Sequence, residues 1–160
     1  MIPSNRNTQV FKAVVTKVGD TDNDGKITYY SWILKKGRIA ILHSSEVYQP
    51  GVVIEGEFQK EVRDTDPSRD TWVCTQVRHV IPRYFNTRIT EGNHVEIDIT
   101  ATDYIPECGS RKYPFTINSE FGDIIDNKGK LPYHCDGKTI AIQQRKLDDG
   151  CFHWVVTKAY

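Results

Sequence analysis

No stretch of the 160 residues approaches the roughly 20 consecutive apolar residues that a membrane-spanning helix needs. Neither sign of charge is in excess. Lys plus Arg is 21 and Asp plus Glu is 21, so no global field draws in a polyanion, and any nucleic-acid contact must come from a local patch. The four cysteines, Cys74, Cys108, Cys135 and Cys151, show no close pairing. They read as reduced thiols rather than a disulfide framework, with Cys74 a small buried hydrophobe in a strand. His134-Cys135 and Cys151-x-His153 lack the spacing that brings two ligands onto one zinc ion. A nucleophile elbow, a phosphate loop and paired catalytic acids are all missing, so neither an enzyme nor a cofactor is expected. Met1 to Thr8 is polar and lacks the apolar run of a signal peptide, which gives a cytoplasmic or nuclear expectation with no membrane partner.

What is present is strand pattern. Gln9–Val18, Ile27–Leu34, Arg38–Leu42, Val52–Val62 and Thr71–Val80 are separated by Asp-Gly, Lys-Gly, Pro-Gly and Asp-Pro breakers. His94–Ala101, Tyr113–Ile117, Asp123–Ile125, Thr139–Lys146 and Phe152–Lys158 repeat the series. Glu55-Gly56-Glu57-Phe58 and Val95-Glu96-Ile97-Asp98-Ile99 alternate with period two, as half-buried strands do. Ile81 to Thr90 reads as a bridge, because Pro82 cannot donate to a ladder.

The two series also match as a duplication. Val15-Thr16 pairs with Ile99-Thr100, Tyr30-Ser31-Trp32 with Tyr113-Pro114-Phe115, and Gly37-Arg38-Ile39 with Gly122-Asp123-Ile124. Gly51 pairs with Gly137, and Trp72-Val73-Cys74-Thr75 with Trp154-Val155-Val156-Thr157, all at offsets of 82 to 86 residues. Five strands in about 80 residues suit a small closed barrel of the OB type. The expected architecture is all-β: two tandem five-stranded OB-like barrels packed against each other, residues 1–82 and 83–160. Trp72 and Trp154, at a repeated position, are expected in the packing.

Residues 28–58 carry a resemblance. Tyr30-Ser31-Trp32-Ile33 stands where cold-shock domains carry an aromatic–Gly–aromatic–Ile run on strand two, Ile41-Leu42-His43-Ser44-Ser45 where they carry apolar-Val-His-Ser on strand three, and Gly51–Phe58 resembles their fourth strand. The chain departs from the pattern at Ser31, in place of glycine, and at Ile41 and Ser44, where the family has aromatics. The resemblance to the cold-shock and S1-like branch of the OB superfamily implies binding of single-stranded RNA or DNA. Tyr30, Trp32 and His43 would stack on bases, while Lys35, Lys36 and Arg38 in the adjoining turn would meet phosphates. The alternative for Trp32 is an inward-facing ring capping the core. Tyr113 and Phe115 would form the equivalent platform of the second repeat, behind Arg111-Lys112.

Asp20-Thr21-Asp22-Asn23-Asp24-Gly25 matches the opening of an EF-hand loop, so Asp20, Asp22 and Asp24 are calcium candidates. The twelfth position is Ser31 instead of glutamate, and an Asp-Gly hairpin turn explains the same residues. Glu55, Glu57, Glu61, Asp64, Asp66 and Asp70 would repel a phosphate backbone along strand four. Two functions therefore stand side by side: a non-catalytic nucleic-acid binder, most simply of RNA, and a protein-interaction adaptor within a larger assembly.

Overall fold

The computed structural model of the chain describes residues 8–61, 71–106 and 112–160; Asp64, Asp66, Asp70, Cys108 and Arg111 lie outside them. The described residues form eleven β-strands and no helix. The chain divides into two units, Met1–Tyr84 and Phe85–Tyr160.

The first unit is a closed barrel. Its strands are β1 (Thr8–Thr21), β2 (Ile27–Ile33), β3 (Arg38–Ser44), β4 (Val53–Glu61) and β5 (Thr71–Ile81), hydrogen-bonded in the order β1-β2-β3-β5-β4 and back to β1. Closure depends on the length of β1. Its first half, Thr8–Val14, pairs with β4, and Ala13–Thr21 pairs with β2, so one strand serves both edges. Only β3 and β5 run parallel, with Ala40 beside Trp72. Period-two alternation on β2 sends Tyr29, Ser31 and Ile33 inward, where they are buried, and leaves Thr28, Tyr30 and Trp32 half-buried on the outside. Tyr29 and Ile33 join Val15, Leu42, Ile54, Phe58 and Trp72 in the core. Trp72 meets Phe11 edge to face at 5.5 Å. The Ser31 hydroxyl is satisfied by donating to the Ala40 carbonyl at 3.3 Å.

Gly56 is the tightest point of this barrel. A Cβ built there would stand 2.4 Å from the Gln76 carbonyl oxygen, where β4 and β5 shift register on either side. Backbone cannot yield as a side chain does, so Gly56→Ala should lower stability by about 1–3 kcal/mol. Urea unfolding would read this, and a midpoint equal to wild type would show that β4 and β5 lie farther apart.

The second unit has six strands: β6 (Thr87–Thr90), β7 (His94–Thr100), β8 (Phe115–Asn118), β9 (Gly122–Ile125), β10 (Thr139–Lys146) and β11 (Phe152–Ala159). Their order is β6-β7-β10-β11-β9-β8, and this sheet does not close. The expectation of a second five-stranded barrel therefore meets an open six-stranded sheet. β6 lies inside the segment read as a bridge. It is held to β7 by charge rather than by an apolar pattern: the Arg88 guanidinium reaches the carboxylates of Glu96 and Asp98, the latter at 2.6 Å. Those bonds hold the Asp98 carboxyl below the usual carboxylate range, Arg88 first among the causes.

Leaving β6 aside, β7-β10-β11-β9-β8 follows the cyclic order of the first unit, interrupted between β7 and β8. Beyond β7 the chain still passes β8, but side chains make most of the seam. Asn118 Nδ2 donates to the Thr100 carbonyl at 3.4 Å, the Thr102 N–H donates to Thr116 Oγ1 at 3.2 Å, and one backbone bridge joins Ile105 to Phe115.

The parallel pair β9–β11 sets Trp154 beside Ile124. Ile124 is thus the counterpart of Ala40, not of Ile39, and through the β8–β9 register Thr116 is the counterpart of buried Ser31. Three residues join β8 to β9 where four join β2 to β3, and the sequence landmarks slip by two residues on β8, where Thr116 rather than Pro114 matches Ser31, and by one on β9. Such a slip of one residue exchanges the faces of a strand.

Candidate nucleic-acid interface

The outer face of β2 and β3 is built from cross-strand pairs: Thr28 opposite His43, Tyr30 opposite Ile41, and Trp32 opposite Ile39. Alternation, with Ala40 and Leu42 filling the core, turns Ile39, Ile41 and His43 outward; His43 is exposed and Ile39 is 39% exposed. The Thr28 hydroxyl and His43 Nδ1 lie 3.1 Å apart, which fixes the imidazole at one end of the row. Tyr30, Trp32 and His43 thus share one face.

Lys17 on β1 belongs to the same face, and sequence reasoning missed it. The β1–β2 register shifts between Val15, opposite Ser31, and Lys17, opposite Tyr30, so Thr16 is the extra residue of a bulge. Thr16 Oγ1 donates to the Tyr30 carbonyl at 3.2 Å. The bulge places the Lys17 ammonium 5.8 Å from the centre of the Tyr30 ring. Nothing in the run Val14-Val15-Thr16-Lys17 marks it, because bulges follow from pairing rather than from residue type.

Of the turn cations, Lys36 is drawn away from the aromatic pair, although the Trp32 ring itself reaches the turn, 3.9 Å from where a Cβ of Gly37 would stand. Lys36 extends over the rings of Trp72 and Phe11, at 4.9 and 5.8 Å, at the end of the barrel. Lys35 takes a left-handed backbone conformation in the turn (φ 70°), and Arg38 falls in step with Ala40 and Leu42 rather than with Ile39 and Ile41.

The second-repeat platform is also corrected. Phe115 is only 7% exposed, paired with Ile125 and bridged to Ile105, so its ring is part of the packing. Tyr113 precedes β8, half-buried, with the Lys112 ammonium 5.2 Å from its ring centre. The register makes Ile117, not Phe115, the counterpart of Trp32. Trp72 and Trp154 are both buried, Trp154 against Phe121 at 4.7 Å between ring centres.

Two of the acids of β4 are matched. Glu55 pairs with Lys12 at 3.6 Å and Glu57 with Arg78 at 3.2 Å, both from the side opposite the core. In the first hairpin Asp22 Oδ1 accepts the N–H groups of Asp24 and Lys26, each at 2.9 Å, and Gly25 has φ 81°. That carboxylate is closing the turn, and Asp20 and Asp24 are exposed beside it. Among the described residues no group of three His, Cys, Asp or Glu is placed to hold a metal ion. Cys74, Cys135 and Cys151 are free thiols; burial pushes the Cys74 thiol up to about 11, which disfavours its reactive thiolate. No helix among the described residues is long and apolar enough to cross a membrane.

No curated protein matches the chain, and no solved structure does. Two family models match it in order: the domain of unknown function DUF272, N-terminal, over residues 5–83, and its C-terminal partner over residues 86–160. With both parts of one family matched along almost its whole length, the chain belongs to the DUF272 family.

Proposed function

We propose that the first unit is an OB-type barrel that binds single-stranded nucleic acid, most simply RNA, without catalysis. The outward pair Tyr30 and Trp32, with Lys17 beside it, carries this reading. Two π faces two residues apart on one strand suit successive bases, and each stacked base contributes about 1–3 kcal/mol. The closed order β1-β2-β3-β5-β4 supports the OB assignment. The shared cyclic order supports reading the second unit as an opened form of the same barrel. A neutral chain with few cations on this face implies modest affinity and a shallow salt dependence. Free thiols and this ligand are in keeping with cytoplasm or nucleus.

The test is a titration of labelled single-stranded RNA and DNA oligonucleotides at low and near-physiological salt. Binding should weaken with salt. Lys17→Ala should reduce the slope of log K against log salt by about 0.7, one phosphate contact on a single strand, while Lys36→Ala leaves the slope unchanged. Absence of binding at tens of micromolar protein in low salt would end the proposal. A specific observation favours the second reading, a protein-interaction module: the same face carries aliphatic Ile39 and Ile41, and Ile41 stands where cold-shock domains have an aromatic. A protein partner docked there would be lost on Ile39→Asp with no nucleic acid bound by the wild type.

A further inference from the structure

The second unit carries a cleft of about 540 Å³ that the proposed nucleic-acid interface does not use. It lies on the outer face of β9 and β11, beneath the β10–β11 turn. Tyr113, Ile125 and Leu147 supply apolar and aromatic wall, and Asp123, Asp148 and Asp149 bring carboxylates to it. The volume is that of a small-ligand site. Its chemistry is divided: apolar half-buried wall within, and exposed acids such as Asp148, whose side chain is 93% exposed, at the rim.

The cleft already shows how it treats a cation. The Lys112 ammonium sits 5.2 Å from the Tyr113 ring centre and 3.7 Å from Asp148 Oδ2, held by a π face and a carboxylate together. Asp149 is kept ionised below the usual carboxylate range, first by the Cys151 N–H and then by His153, whose Nε2 is 2.7 Å away. The Asn127 side chain also borders the cleft.

We propose that this cleft binds the arginine side chain of a partner protein, its alkyl stem along Ile125 and Leu147 and its guanidinium between the rim aspartates and the Tyr113 ring. A guanidinium suits the site better than an ammonium. It is planar, weakly hydrated, stacks on aromatics and donates five N–H groups in a fixed fork, enough for two carboxylates. In this arrangement Lys112 is an internal competitor that holds the site when no partner is bound. The site is in the second unit and does not depend on nucleic-acid binding by the first.

The test uses the full chain and three short peptides, identical apart from one central arginine, lysine or citrulline, followed by NMR at Tyr113 and His153. The arginine peptide should give saturable shifts at both residues and bind at least about tenfold more tightly than the citrulline peptide, which keeps the shape without the charge. Asp149→Asn should weaken it by a similar factor while keeping the acceptor for the Cys151 N–H. Asp148→Asn, at an exposed position that cannot upset folding, should weaken it too, and Lys112→Ala should tighten it. Equal binding of the citrulline peptide, no saturation by about 10 mM, or Lys112→Ala weaker than wild type would each overturn the proposal. Tighter binding of the lysine peptide would overturn the choice of guanidinium.

Discussion

Replacing Tyr30 and Trp32 together by alanine should weaken single-stranded RNA binding by at least about 30-fold, the low end of two stacked bases at 1–3 kcal/mol each. Each single substitution should account for part of that loss, and Trp32→Phe, which keeps a π face, should recover most of it. Both side chains point away from the core, so the double variant should remain folded, with a melting temperature close to wild type. That separation makes the result decisive. If binding and the far-ultraviolet spectrum are lost together, the rings support the barrel. If binding persists unchanged in a folded double variant, the outer face of β2 and β3 is not the interface.

The second large effect is on stability. Trp72→Ala and Trp154→Ala each remove a ring that is almost wholly buried and packed edge to face on a phenylalanine, Phe11 and Phe121 respectively. Truncations of this kind cost about 3–5 kcal/mol. A unit of about 80 residues has roughly 4–12 kcal/mol to lose, so each variant should be close to unfolded in the unit that contains it. Amide exchange read by NMR would show where. Trp72→Ala should release the amides of β1 to β5, and Trp154→Ala those of β6 to β11. A loss below about 1 kcal/mol for either would mean that its ring is not a core element.

Much of this was legible along the chain because it depends on near neighbours. Ten of the eleven strands follow from β-branched and aromatic runs cut by Asp-Gly and Lys-Gly turns. The Asp22 hairpin followed from an aspartate whose own side chain accepts two nearby N–H groups. The missing strand, β6, is tied to its neighbour by Arg88 and two acids, an attraction that leaves no apolar alternation to read.

The sequence by itself determined that the chain is β-rich, that Tyr30 and Trp32 share a face, and that Trp72 and Trp154 are core. Each of these rests on alternation within a strand or on a large apolar ring that must leave water. Only the tertiary structure decided that Lys17 replaces Lys36 beside the aromatics, that Phe115 is packed away, and that the second sheet stays open. Those depend on which strands pair and at what register. The extra residue at Thr16 brings Lys17 opposite Tyr30, and the β8–β9 register puts Ile117 rather than Phe115 at the place of Trp32; no local pattern records either choice.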